Sequence, residues 1–414
     1  MKKLIIWCAV LCSFGKVYAQ DSVVDSRVAV NTSVRVHTQV NISDQDTKDE
    51  ERVKNISKTF PADQNDKIAL SNQYGSMVIK VWDRREVKID IAIRANSGGD
   101  TQNLMDQVNI TAGKSGDVIS CKTDIDNGRH WGGRNNTRSL KIDYVVYLPA
   151  ANALTLSQEF GNILMGDHSG PVSANVQYGN LDAGNLSSTN NYISVQYGKT
   201  NIEAVNRATI KQQYGAGLMV GTAGTLDIDA QYVNVTVNTI RGNALIKQQY
   251  GSGLKIGSVN NLDLDAQYVN VNIANIKGNA TVKQEYNSLT IGTVGKLNLR
   301  AEYAGVNIGS LRGDGNFRMS YNKFIVGAVG AGCKSLLVDV EYVDVNLGFV
   351  DGYNADFTVQ KSYGSFKSDS RLGGSVNVRG GDEDSSTKNY SGKIGSGGSA
   401  IVRVKSEYGS VVFK

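Results

Sequence analysis

The sequence predicts an all-β protein: a single-stranded parallel β-helix, or β-solenoid, of roughly 18-residue coils behind a strand-rich N-terminal cap. Three observations predict it. An aromatic residue returns at steps of 17 to 19 residues from Phe160 through Tyr178, Tyr197, Tyr214, Tyr232, Tyr250, Tyr268, Tyr286 and Tyr303 to Tyr321. Apolar residues alternate on both sides of each aromatic, as with Leu262, Leu264 and Ala266 before Tyr268 and Val271 and Ile273 after it. That period of two means strands, and the odd step across the tyrosine means a corner. The charge three residues before the corner also changes sign from one repeat to the next. Units this short bury a face only by stacking, so the repeats must share one core.

Each segment can be assigned in order. Residues 1–19 carry Lys2 and Lys3, an apolar run from Leu4 to Phe14, and the small-residue end Val17-Tyr18-Ala19, the pattern of a cleaved secretory signal. Residues 20–60 form a polar lead-in, with weak alternation from Val24 to Val36, that is either a mobile arm or an edge strand. Residues 61–150 form the cap region. One coil begins at Ile68, with Tyr74, Met77 and Ile79 in register. A strand follows over Val87–Ala95, then a short helix over Asp100–Val108 with Asp100 as its cap. Val118–Ile125 and Leu140–Leu148 are expected to pair as a hairpin. Residues 151–414 form the repeat domain, with corners continuing at Tyr342, Tyr363 and Tyr408 and room for one degenerate coil between the last two. Fourteen coils at strand spacing give a rod of roughly 65 Å, and parallel crossovers favour the right hand. SEYGSVVFK keeps the coil pattern, which places an open or partner-docked edge there.

Three rows should therefore run across the coils. The row three residues before the corner reads Lys211, Asp229, Lys247, Asp265, Lys283, Arg300, Arg318, Asp339, a ladder of facing charges. Where alternation lapses, the row one residue before the corner changes from glutamine to Glu285 and Glu302, which supply counter-charge. The earlier Gln213, Gln231, Gln249 and Gln267 are placed to form amide ladders. The inward row alternates Gln212, Ala230, Gln248, Ala266, Gln284, Ala301, large beside small. The tyrosine hydroxyls are the expected partners of those inward glutamines.

Composition excludes several function classes. Loss of Lys2, Lys3 and Lys16 with the signal lowers the formal charge from +5 to +2, which gives no electrostatic case for nucleic acid. No segment after the signal approaches the roughly 18 apolar residues of a membrane span. Cys121 and Cys333 are distant and differ in context, and are expected as unpaired thiols. His37, His130 and His168 stand apart, and no metal, nucleophile-elbow or phosphate-loop pattern occurs, so no cofactor and no catalytic residue is assigned. The carboxylate pairs Asp227/Asp229 and Asp263/Asp265 suit a structural charge ladder better than acid–base or calcium chemistry. The loop DNGRHWGGRNNTR is the one place where arginine, histidine and tryptophan crowd together. There Trp131 is a stacking candidate, with Arg129, His130 and Arg134 as polar contacts.

Residues 66–93 (DKIALSNQYGSMVIKVWDRREVKIDIAI), residues 147–163 (YLPAANALTLSQEFGNI) and the repeated QYG corners resemble the bacterial putative-adhesin family of exported β-helical proteins. The resemblance spans most of the chain beyond the signal, and its motifs are structural. It implies export and a place in the cell envelope, in the periplasm, at the surface or secreted; taken with the repeated rows and the absence of catalytic motifs, the expectation is a non-enzymatic binding or structural protein with a glycan or another envelope protein as partner. Two rivals are a carbohydrate-active β-helix enzyme, such as a polysaccharide lyase, and a periplasmic structural or regulatory component.

Overall fold

The computed structural model describes residues 37–39, 51–96, 101–126, 139–372, 376–380, 386–398 and 400–414. Alternating apolar residues stack into a parallel β-solenoid of about 11 turns with ~18-residue coils. The strands pair in the expected register: Ile246, Lys247, Gln248 and Gln249 lie beside Leu264, Asp265, Ala266 and Gln267. Inward rows such as Ile246, Leu264, Val282 and Leu299 are buried along the whole stack. At each corner the aromatic N–H stays in the ladder, so the turn leaves no orphan donor; Tyr232 donates to the Gln249 carbonyl and Tyr250 to that of Gln267, both at 3.0 Å.

The first coil is made by Lys67–Gln73 and Met77–Val81 around Tyr74. It does not lie at the end of the stack. Ala153–Glu159 and Ile163–Met165 cover one side. Val118–Ile125 and Ser139–Leu148 cover the other. Those last two strands are not the hairpin the sequence suggests. Val118–Ile125 pairs antiparallel with Val108–Ser115, and Ser139–Leu148 pairs antiparallel with Glu86–Asn96. The tight turn at Gly116, whose φ is +54, gives Val118–Ile125 a local partner. That partner is hard to see in sequence because Val108–Ser115 buries only Val108 fully. The helix appears at Thr101–Asp106, with Leu104 and Met105 buried; Asp100 lies outside the described residues. Arg52–Pro61 extends the cap sheet as the antiparallel partner of Glu86–Asn96. Asp143 ties cap to coil: it accepts from the Ser76 N–H at 2.9 Å and hydroxyl at 2.7 Å and pairs with Arg94 at 2.6 Å.

The C-terminal end departs further from expectation. The coil around Tyr408, made of Ile401–Glu407 and Val411–Phe413, is neither exposed nor the last in the stack. It is inserted between the Tyr342 and Tyr363 coils, with Val404 beside Val338 on one side and Val359 on the other. The expected degenerate coil is instead an excursion: Thr387–Ile394 runs antiparallel to Ala355–Ser362, and Val376–Gly380 runs antiparallel to it in turn. The Gly395–Gly398 stretch, with three glycines at positive φ, redirects the chain before it enters the slot.

Candidate binding surface

The corner residues form one file of fourteen stacked rings. It runs Tyr74, Phe160 and Tyr178 through Tyr321 to Tyr342, then Tyr408, and ends on Tyr363. Spacing is tight, from 4.4 Å between Tyr268 and Tyr286 to 5.3 Å between Tyr197 and Tyr214. Every member has left-handed backbone, with φ between 50° at Tyr214 and 62° at Tyr286. That conformation costs an L-residue about 1–2 kcal/mol, and a stacked aromatic pair returns about 0.5–1.5 kcal/mol. Stacking therefore offsets the corner strain without exceeding it. Apart from Tyr74, which is more covered, the rings remain half exposed, from 37% at Tyr286 to 55% at Tyr363. Because each ring's faces meet its neighbours, a ligand meets ring edges and hydroxyls. Three of these phenols have a raised pKa: Tyr268 through its hydrogen bond with Tyr286, and Tyr303 and Tyr342 through desolvation and then neighbouring groups.

Close approach explains the glycine after most corners. A Cβ on Gly161 would lie 1.5 Å from the Gly75 carbonyl oxygen, and one on Gly179 would lie 1.8 Å from that of Gly161. In alternate coils this place is taken by buried Val233 or Val269, and the inward position two before the corner is then Ala230 or Ala266. At Tyr214 and Tyr250 glutamine with glycine, and at Tyr232 and Tyr268 alanine with valine, fill the same inner corner. The inward glutamines do not bond to the tyrosine hydroxyls, which line the outside. Gln158, Gln212, Gln248 and Gln284 each donate from Nε2 to the carbonyl just after the preceding corner, at 3.0, 2.8, 2.8 and 2.9 Å to Gly75, Gly198, Val233 and Val269.

Beside the file, the amide row closes in part: Gln196 donates to Gln213 at 3.2 Å and Gln249 to Gln267 at 3.0 Å. The charged row is in register from Lys211 through Asp229, Lys247 and Asp265 to Lys283. Among the described residues no ion pair shorter than 4 Å closes along that stretch of it. Lys283 turns to Glu285 at 2.8 Å, and this hydrogen bond is the main reason its pKa is raised. Asp229 and Asp265 each bury one carboxylate oxygen without a hydrogen-bond partner. The carboxylate pairs build no metal cluster, because groups of three or more ligating side chains are absent among the described residues.

Arg129, His130, Trp131 and Arg134 lie outside the described residues. The strands that bracket them, Val118–Ile125 and Ser139–Leu148, border the Tyr74 coil. His168 is buried, with Nε2 2.9 Å from the Asn152 carbonyl and its pKa lowered by burial, so it belongs to the core. Cys121 and Cys333 are free and buried, as their contexts suggested. No helix among the described residues is long and apolar enough to cross a membrane.

No family model matches the chain, and no curated protein does. Solved structures do. One, described as a putative adhesin from Parabacteroides merdae, shares 16% identity over 69% of this chain and 96% of its own, with a TM-score of 0.25. Another, a putative cell adhesion protein from Clostridium sporogenes, shares 9% over 89% of this chain and 99% of its own, with a TM-score of 0.17. A third, a putative lipid binding protein from Parabacteroides distasonis, shares 12% over 87% of this chain and 96% of its own, with a TM-score of 0.20. Overlaps of this size carry no argument about activity; the chain is similar to solved structures described as putative adhesins.

Proposed function

We propose that the protein is an exported, non-enzymatic β-solenoid of the bacterial cell envelope that binds a glycan or another envelope protein along its aromatic edge. The observation that carries this proposal is the continuous file of half-exposed rings held in left-handed backbone. Strain kept at repeated positions points to use of the side chain they present. Rings stacked about 5 Å apart present phenol hydroxyls coil after coil, which suits an extended polymer lying along the axis better than a small ligand. The loop bearing Arg129, His130, Trp131 and Arg134 is proposed as a secondary contact, to be tested by Trp131→Ala.

The rival enzyme needs a general acid and base converging in one groove. The periplasmic reading loses its exposed C-terminal coil, because that coil is internal. A glycan array combined with a cleavage screen on acidic polysaccharides separates the readings. Specific binding without bond cleavage is expected, and cleavage would favour the enzyme. Protease shaving of intact cells then divides surface from periplasm.

Phe160 supplies the control for the file, since it sits at a corner with φ 54 and stacks on Tyr178 at 5.0 Å without a hydroxyl. Replacing Tyr232, Tyr250, Tyr268 and Tyr286 together by phenylalanine should keep the melting temperature within a few degrees while weakening ligand binding by at least about tenfold, the size of one or two lost hydrogen bonds. Undiminished binding would rule the hydroxyl file out as the contact.

A further inference from the structure

Near the C-terminal end the solenoid face carries a groove of about 600 Å³, within the usual range for ligand sites. It exists because the chain leaves the coil pattern. The floor is made by Ser335–Phe349, Ile401–Glu407 and Ala355–Ser362, flanked by Gly315–Val329, which carries Asn316 and Arg318, and the antiparallel strand Thr387–Ile394 forms one wall.

Charge along this floor differs from the middle of the stack. From Lys211 to Lys283 lysine and aspartate alternate. Here insertion of the Tyr408 coil places Asp339 between Arg318 and Lys405, with Arg403 two residues from Lys405 on the same face. The groove thus holds three cations to one carboxylate. Asp339 is only 3.9 Å from Lys405, and neither Arg318 nor Arg403 has an ion pair or hydrogen bond among the described residues. Two guanidinium groups free of partners in one concavity are ready for bidentate contact with an anion. The remaining polar lining is neutral: Thr358 and Gln360 on the floor face Ser391 and Asn389 on the wall. Hydroxyls and amides between arginines are what a sugar bearing negative groups requires. A peptide would look for an open strand edge, and the three floor strands are paired on both sides.

We infer that this groove binds an acidic saccharide, with Arg318 and Arg403 holding its carboxylate or sulfate groups and the neutral side chains holding its hydroxyls. The groove lies on the rows before the corner and does not depend on the aromatic file, so the two sites can be separated by mutation.

The test is titration of the full chain with oligogalacturonate, the same oligomer methyl-esterified, dextran sulfate and duplex DNA. The free acid or the sulfated polymer should bind, with the preferred one identifying the anionic group, and the ester should bind at least about tenfold more weakly. The double variant R318Q/R403Q should lose at least about tenfold, whereas R241Q, an exposed arginine elsewhere, and the four-phenylalanine variant should bind as the parent does. Arg318→Lys should retain part of the affinity, which separates loss of charge from loss of fold. The inference is overturned if neither acidic polymer binds, if acid and ester bind alike, if R318Q/R403Q binds as the parent does, or if DNA binds equally tightly.

Discussion

Tyrosine is a poor intrinsic choice for left-handed backbone, where glycine and asparagine are favoured. Its recurrence was legible in the sequence and its conformation was not, because the interval is written in residue spacing while φ is imposed by the stack. The partner of the inward glutamines was missed for a related reason. The signal was present in the residue after the corner, glycine in QYG and valine in AQYV, which says how much inner space the glutamine must fill. Lys361 shows what happens when that rule is broken. It occupies the same inward position in the Tyr363 coil, is 2% exposed, and its Nζ has no hydrogen-bond partner. Burial lowers its pKa from the ordinary 10.5. The unfolded chain therefore takes up the proton first: stability is greatest above 10.5 and falls as pH drops towards the lowered folded value. Lys361→Gln installs the side chain used by Gln212, Gln248 and Gln284. It should raise the neutral-pH melting temperature by about 2 °C or more and flatten its alkaline rise, as read by circular dichroism.

At the level of the element, the two-residue alternation gave the strands of the regular coils and the side chains that face the core there, but not Val108–Ser115, Val376–Gly380 or Thr387–Ile394. Pairing between strands was legible only where it is sequential. Within the regular coils the register of Lys247, Asp265 and Lys283 agrees with the repeat spacing. In the cap, the partners of Val118–Ile125 and Ser139–Leu148 depend on a turn and a distant strand, and alternation alone does not choose between them. The charge row gives a test of register. Asp265 lies between two lysines, whereas Asp263 lies between Leu245 and Thr281. Asp265→Lys should cost about 0.2–1 kcal/mol more than Asp263→Lys, because it sets three like charges side by side. Equal unfolding midpoints would mean that the row contributes nothing there, in keeping with the lack of direct ion pairs from Lys211 to Lys283 among the described residues.

At the level of the whole molecule, both end regions are built out of sequence order. The coil around Tyr74 is closed by strands that follow it, and the slot beside the Tyr342 coil is filled by residues 401–413 only after the Tyr363 coil has been specified. The cover over the Tyr74 coil was legible as the strand-rich cap; the slot was not, because the Tyr408 coil matches the repeat equally well at either place. Deleting residues 400–414 should leave the Tyr342 and Tyr363 coils facing each other across a gap one strand wide. The expected result is a melting temperature lower by several degrees and self-association, with recovery when a peptide of residues 400–414 is added. An unchanged melting temperature would show that the inserted coil is dispensable.

The inserted coil also sets a timetable. A chain emerging from its N-terminus lays down the coils from Phe160 to Tyr342 in the order they appear. The Tyr363 coil has no seat until residues 401–413 arrive and take the place beside Tyr342. Some sixty residues therefore wait, synthesised but undocked, and settle together. During that interval the growing end displays an unpaired strand, open to proteases and to neighbouring chains, until the last segment docks.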